Sequence, residues 1–102
     1  MDMEIRHEEE RRRFSLEVDG YQAYVEYRLE QGDFDIRHTI VPAEIGGRGI
    51  ASRLVKAAYD YARSNGFRLV ATCSYAVLWL ERHPEYEGVK SCDYAGEGAC
   101  AL

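Results

Sequence analysis

Hydrophobic and polar side chains alternate through three runs in the first 40 residues, at 14–18, 23–29 and 34–40. A period of two is typical of strands that bury one face. The runs are separated by turns at Asp19-Gly20 and Gln31-Gly32, and an aspartate–glycine pair is a strong hairpin signal. The pattern therefore predicts a three-stranded antiparallel meander.

The third predicted strand carries the residues that lead into the next part of the chain. Its alternation places four side chains on one face: Phe34, Ile36, His38 and Ile40. Pro42 ends the strand, because proline removes a donor from the ladder of backbone hydrogen bonds.

Beyond Pro42 the hydrophobic period becomes helical. Ile50, Leu54, Ala58 and Ala62 recur at helical spacing, and Gly66 follows them as the residue favoured just past a helix end. Residues 67–72 are a short apolar run of strand length. Strand, helix and strand in this order indicate a crossover between parallel strands. Residues 76–83 predict a second, shorter helix.

The elements together predict an α/β (α+β) fold with a mixed sheet. An antiparallel N-terminal meander is followed by a β-α-β crossover and a short C-terminal helix. With 102 residues the chain is expected to be a single domain, 1–102. The charge block at 8–13 predicts a solvated lead-in, and we expect segments 1–11 and 91–102 to be flexible.

Composition and charge exclude several classes of protein. The net charge of −5 argues against nucleic acid as a partner, and no apolar run approaches the roughly 20 residues of a membrane span. The N-terminus is charged and does not resemble a secretory signal. Cys73, Cys92 and Cys100 show no metal-like spacing and fit free thiols in a reducing cytoplasm. We expect a cytoplasmic monomer or weak homodimer without a bound metal.

Candidate chemistry is concentrated in one glycine-rich loop, Gly46-Gly47-Arg48-Gly49-Ile50-Ala51, between the third strand and the first helix. Glycines leave the backbone N–H groups uncovered, and a helix start attracts phosphate through its free donors and its dipole. A nucleotide-hydrolysing loop would continue with lysine and then serine or threonine. Here Ile50-Ala51 follows, so the loop predicts a phosphate-bearing ligand without supporting nucleotide hydrolysis.

The loop resembles the pyrophosphate loop of the GNAT superfamily of N-acetyltransferases, Gln/Arg-x-x-Gly-x-Gly/Ala. Gly49 and Ala51 fill its last two defined positions, whereas Gly46 stands where the superfamily usually has Gln or Arg. A compact GNAT-like group is similar over nearly the whole chain. Its motifs occur here in the same order, as Asp19-Gly20, His38-Thr39-Ile40-Val41-Pro42, Gly49-Ile50-Ala51 and Cys73-Ser74-Tyr75.

The resemblance implies an N-acetyltransferase that uses acetyl-CoA and moves the acetyl group to an unidentified amine by direct attack on the thioester. It implies that the pyrophosphate lies on the backbone N–H groups of residues 47–52, near Arg48, Arg53 or Lys56. The pantetheine arm would run along residues 38–41. The coenzyme-binding residues would then be Ile40, Val41, Gly46, Gly47, Arg48, Gly49, Ile50, Ala51, Ser52 and Arg53.

Three residues are candidates for the proton transfers of such a reaction. His38 carries an imidazole, the type of side chain whose unperturbed pKa is closest to neutral pH, as a base for the amine requires. Cys73 could act as an acid, accept the acetyl group transiently or pack as an inert thiol. Tyr75 could donate to the leaving sulfur. Each has a purely structural alternative; for His38 it is an inward-facing histidine in a strand.

A second function remains open: a CoA- or acetyl-CoA-binding module with little or no turnover. Larger members of the superfamily shape the acceptor pocket with extra helices and a C-terminal hairpin, for which this chain has little room. An acceptor groove would then be shallow, with Tyr24 and Glu26 facing the acceptor, or it would be completed by a second subunit.

Overall fold

The structure, a computed structural model, describes residues 5–90, which form a mixed sheet of six strands. The strands are β1 (Arg6–Glu8), β2 (Arg13–Val18), β3 (Tyr21–Glu30), β4 (Asp33–Ile40), β5 (Arg68–Ala71) and β6 (Val89–Lys90). The helices are α1 (Ile50–Ser64) and α2 (Ser74–Arg82), with single 3₁₀ turns at Glu9–Arg11, Ala43–Ile45 and Pro84–Tyr86.

The strands lie across the sheet in chain order. The pairs from β1 to β4 are antiparallel, and β4–β5 and β5–β6 are parallel. Both parallel connections are helical and run in the same direction across the sheet. Because such crossovers are right-handed, α1 and α2 lie on the same face. The predicted meander, crossover and short second helix are confirmed.

The charge block is solvated as predicted over residues 9–12, which are exposed, but it has regular structure. Glu9–Arg11 forms a 3₁₀ turn, and just before it Arg6–Glu8 pairs with β2. His7 anchors the strand: its ring stacks on Phe14 at 4.1 Å between centroids. A single ring among charged neighbours is a weak signal in sequence, and in the fold it is joined by Ile5, which also packs against the core.

His7 belongs to a group of five rings that we call the aromatic cluster: His7, Phe14, Tyr27, Phe34 and Tyr61. The His7 Nε2 atom and the Tyr27 hydroxyl are 2.5 Å apart. Burial lowers the pKa of His7, and the charge of Glu9 opposes this in part. The cluster joins β1–β4 to the last turns of α1, so it fixes one end of the core.

A β-bulge in β4 corrects the prediction for the third strand. Tyr27 pairs with Ile36, but Glu26 pairs with His38, so Arg37 is one extra residue in β4. An inserted residue reverses the facing of every side chain after it. His38 and Ile40 are therefore exposed on the sheet face opposite Ile36. The prediction that they share the face of Phe34 and Ile36 is wrong for this reason, and the inward-facing histidine is excluded.

The sheet face opposite the helices is covered by no helix within residues 5–90, and we call it the open face. Its side chains around the bulge are polar apart from Ile40: Arg13, Tyr24, Glu26, Asp35, His38 and Ile40. In the same residues no helix is long and apolar enough to cross a membrane. The predicted flexible segment 91–102, with Cys92 and Cys100, lies outside the described residues.

Candidate functional site

The candidate site starts where the two central parallel strands separate. The pairing of β4 with β5 ends at Ile36 and Ala71, and the carbonyl of Ile36 accepts from the N–H groups of both Thr72 and Cys73, at 2.9 and 3.0 Å. Past this point β4 continues to Ile40, while the segment after β5 turns away from it and enters α2. We call the gap between residues 37–41 and 72–75 the fork. Within residues 5–90 no strand fills it, so alternate backbone groups of β4 are unpaired there.

Side chains tie the two sides of the fork together at its inner end. The Thr72 hydroxyl donates to the carboxylate of Asp35, 2.9 Å from each oxygen, and Arg37 lies 3.3 Å from that carboxylate. The Cys73 thiol donates to the Thr39 hydroxyl at 3.3 Å. The bulge residue and the end of β5 are therefore held by one nearly buried acid, which fixes where the fork begins.

The glycine loop leads from the fork into α1. Gly47 and Gly49 adopt φ values of 79° and 73°, the left-handed region that favours glycine. A Cβ atom at either position would meet nothing within 4 Å, so the loop faces open space. The first backbone bond of α1 runs from the Arg53 N–H to the Gly49 carbonyl, and within residues 5–90 no side chain caps the helix. The amides of residues 50–52 therefore have no acceptor within the helix.

Within residues 5–90, one of the predicted cations near this helix start has no acidic partner. Arg48 forms an ion pair with Asp19 at 2.9 Å, and Lys56 pairs with Asp60 at the same distance. Arg53 is exposed and has no ion pair within the described part of the chain. The Arg48–Asp19 pair is itself largely solvent-accessible, and exposed pairs of this kind contribute only about 0–1 kcal/mol. Arg48 can therefore exchange Asp19 for another anion at little cost.

The three predicted catalytic residues surround the fork on different sides. Cys73 precedes α2, and Tyr75, in the first turn of α2, is 36% exposed. His38 is on β4 with its side chain on the open face, directly opposite Glu26 in β3. Of the predicted pantetheine-contacting residues, Ile40 is exposed on the open face and Val41 packs against the core. The structure brings these residues to one edge of the sheet; their roles stay predictions.

Sequence reasoning missed two features of this region. Asp35 lies between two apolar residues of β4, and a carboxylate at such a position is a signal that could have drawn attention to the fork. The second feature is a hydrogen bond from the Trp79 indole to the Ser52 hydroxyl at 3.1 Å. Trp79 is buried, and nothing in the sequence pairs it with a residue 27 positions away.

With this geometry in place, three comparisons with known proteins bear on the site. Residues 13–89 match a family model described as GCN5-related N-acetyl-transferase. Protein NATD1 of Xenopus tropicalis is 32% identical over 83 residues, covering 78% of this chain and 76% of its own length. Protein NATD1 of Danio rerio is 32% identical over 89 residues, with coverages of 82% and 81%.

One solved structure is similar over almost the same span. The NMR solution structure of a GCN5-like protein from Staphylococcus aureus superposes with a TM-score of 0.68 at 33% identity, covering 87% of this chain and 88% of that one. The family match alone runs from the first residue of β2 to the first residue of β6. It therefore includes the glycine loop and both sides of the fork.

Proposed function

This chain belongs to the GCN5-related N-acetyltransferase family, and from that premise we propose that it moves the acetyl group of acetyl-CoA to an amine. The observation that carries the proposal is the row of uncapped amides at residues 50–52, preceded by two left-handed glycines and adjoining the fork. Free N–H groups at a helix start bind phosphate oxygens. The residues present therefore fit a coenzyme with a pyrophosphate.

In this proposal the coenzyme is held mainly by main-chain groups. The amides of residues 47–52 bind the pyrophosphate, with Arg53, which is unpaired within residues 5–90, beside them and Arg48 available after it leaves Asp19. The pantetheine arm lies in the fork along residues 38–41, where alternate β4 backbone groups lack a strand partner. Gly46 has no side chain that could bind the phosphates, so Arg48 and Arg53 supply the positive charge.

The chemistry requires one proton to leave the amine and one to reach the departing sulfur. Bound acetyl-CoA supplies a thioester whose C–S bond breaks as the amine nitrogen forms the new C–N bond. His38 takes the proton of the amine as general base, and the carboxylate of Glu26, its neighbour in β3, stabilises the charged ring. Tyr75 or Cys73, across the fork, gives a proton to the sulfur.

The acceptor approaches from the open face, where His38 lies. No helix covers this face within residues 5–90. The connection between β1 and β2, where a helix could have been inserted, is a single 3₁₀ turn. The Arg13 guanidinium lies over the Tyr24 ring at 4.1 Å and 3.9 Å from Glu26. These side chains form a shallow floor of mixed charge, which suits an acceptor that is itself extended and polar.

The test has a binding step and a turnover step. Acetyl-CoA should raise the thermal stability of the protein more than pantetheine does, because the phosphates carry much of the binding. Release of free CoA should then accelerate with at least one member of a panel of polyamines, amino acids and peptides. His38→Gln should lower that rate by about 10²–10⁴-fold and leave acetyl-CoA affinity unchanged. Binding with no amine-dependent release would favour a coenzyme-binding module instead.

A further inference from the structure

The single tryptophan of the chain connects α2 to the start of α1. Its indole nitrogen lies 3.1 Å from the Ser52 hydroxyl oxygen. Ser52 is the third residue of α1, and its amide is one of those to which we assign the pyrophosphate. Trp79 therefore contacts a residue of the proposed coenzyme site but is not itself part of that site.

Trp79 has little freedom to move. It is 4% exposed, and its ring stacks on His83 with centroids 3.9 Å apart and planes 17° apart. Tyr86 packs edge-on against it at 4.9 Å, and Tyr59 lies on the α1 side at 5.9 Å. His83 is held in turn, because its Nδ1 donates to the Trp79 carbonyl at 2.8 Å. The direction of the indole N–H is thus fixed by packing.

A fixed donor restricts its acceptor. A buried indole N–H needs a partner, and the Ser52 hydroxyl supplies one lone pair to it. That leaves the hydroxyl with one proton to donate, and the hydroxyl makes no second hydrogen bond within residues 5–90. A hydroxyl that accepts a hydrogen bond becomes a better donor through cooperative polarisation. Ser52 lies in the same first turn of α1 as the uncapped amides, where an anionic oxygen is expected.

We propose that Trp79 is the positioning residue that orients the Ser52 hydroxyl, so that it donates to a phosphate oxygen of the coenzyme. The inference rests on the proposed function, in which Ser52 already belongs to the pyrophosphate site. It gives α2 a part in a site that otherwise consists of the glycine loop, the start of α1 and exposed arginines. It also means that the chain carries a natural fluorescent reporter of coenzyme binding.

A double-mutant cycle read by calorimetry tests the proposal. Ser52→Ala should weaken acetyl-CoA binding by about tenfold, the low end for a hydrogen bond to a charged group. Trp79→Phe keeps an apolar ring but leaves the hydroxyl unoriented, and it should weaken binding by about threefold to tenfold. The double variant should bind no more weakly than Ser52→Ala alone. Pantetheine, which lacks the pyrophosphate, should bind all four proteins equally.

Val77→Ala is the matched control for loosening of α2. Val77 is buried on the same helix and has no polar side-chain atom that could bond to Ser52, so the variant should lose stability and keep its acetyl-CoA affinity. Two independent losses that multiply in the double variant would overturn the proposal, as would an equal loss of pantetheine binding. If the wild type itself binds acetyl-CoA no better than pantetheine, the proposed function fails, and the positioning role fails with it.

Tryptophan emission gives a second measurement that does not require the Trp79 variant to fold. In the wild type, saturation with acetyl-CoA should change the tryptophan emission. The Ser52 hydroxyl then donates to the phosphate, and this changes the hydrogen bond that it accepts from the indole. The change should be absent in Ser52→Ala at saturating coenzyme. Emission that stays constant in the wild type while calorimetry records binding would contradict the coupling.

Discussion

The two ends of α1 are built on different principles. At its C-terminal end Tyr61 enters the aromatic cluster, where Phe34 is fully buried and stacks on Tyr27 at 4.3 Å. At its N-terminal end, roughly 22 Å away along a 15-residue helix, the glycine loop presents bare amides to open space. The C-terminal end is fixed by packed aromatic side chains, whereas the loop before the N-terminal end consists largely of glycines with exposed backbone.

The contrast separates stability from recognition. Buried rings contribute large apolar areas and specific ring–ring geometry, so the cluster is expected to dominate the free energy of folding. The loop buries little and leaves donors unsatisfied, so it is expected to contribute little to folding and much to anion binding. Variants at the two ends should therefore change two different measurements.

The largest effect is expected in the cluster. Phe34→Ala removes a fully buried ring and should lower the free energy of unfolding by about 3–5 kcal/mol, measured by urea denaturation. Where the variant is still folded, its preference for acetyl-CoA over pantetheine should be unchanged. A loss below about 1 kcal/mol would mean that the cluster does not dominate stability.

The next effect separates the ends directly. Gly49→Val places a β-branched residue at φ 73° and should cost about 1–3 kcal/mol of stability. It should also abolish stabilisation by acetyl-CoA, because the side chain would occupy open space beside the loop, where the proposal places the pyrophosphate. Thermal unfolding with and without coenzyme measures both effects.

Gly32→Val is the matched control for that variant. Gly32 has φ 83° and open space around it, but it lies in the turn between β3 and β4, at the far end of β4 from the loop. Its stability cost should be similar, and its response to acetyl-CoA should equal that of the wild type. If both glycine variants respond normally to the coenzyme, the loop does not bind the pyrophosphate.

The same contrast explains what could be predicted from sequence. Alternation identified Phe14, Val25 and Phe34 as core residues, because each strand there pairs regularly and buries one face. It failed after Arg37, since a bulge is one inserted residue that leaves no mark in composition. The loop was found through its glycines, a local signal, whereas Ser52 and Trp79 meet only through the packing of two helices.

A smaller effect concerns pH and the cluster. Burial lowers the pKa of His7 from its ordinary value of 6.5, so the unfolded chain binds more protons than the fold just below that pH. The contribution of neutral His7 is complete above pH 6.5 and is lost as pH falls through the lowered folded-state pKa. His7→Phe, which keeps a ring beside Phe14, should lose less stability than the wild type between pH 7.5 and 5.5. Equal losses in urea titrations would remove His7 from the account.

The smallest effect is expected at Gly46, the one loop glycine that does not need to be glycine. Its φ of −68° is open to any residue, and a Cβ would meet the Ala43 carbonyl oxygen at 3.4 Å, an ordinary contact. Gly46→Gln should change the free energy of unfolding by no more than about 0.5 kcal/mol. The variant supplies a residue that the GNAT loop pattern, as the resemblance gives it, has at this position, so we expect acetyl-CoA affinity to hold or rise. The contrary outcome is a fully stable Gly46→Gln protein that loses coenzyme binding. That result would show that the glycine loop binds the coenzyme only without an added side chain, even at a position where the backbone accepts one.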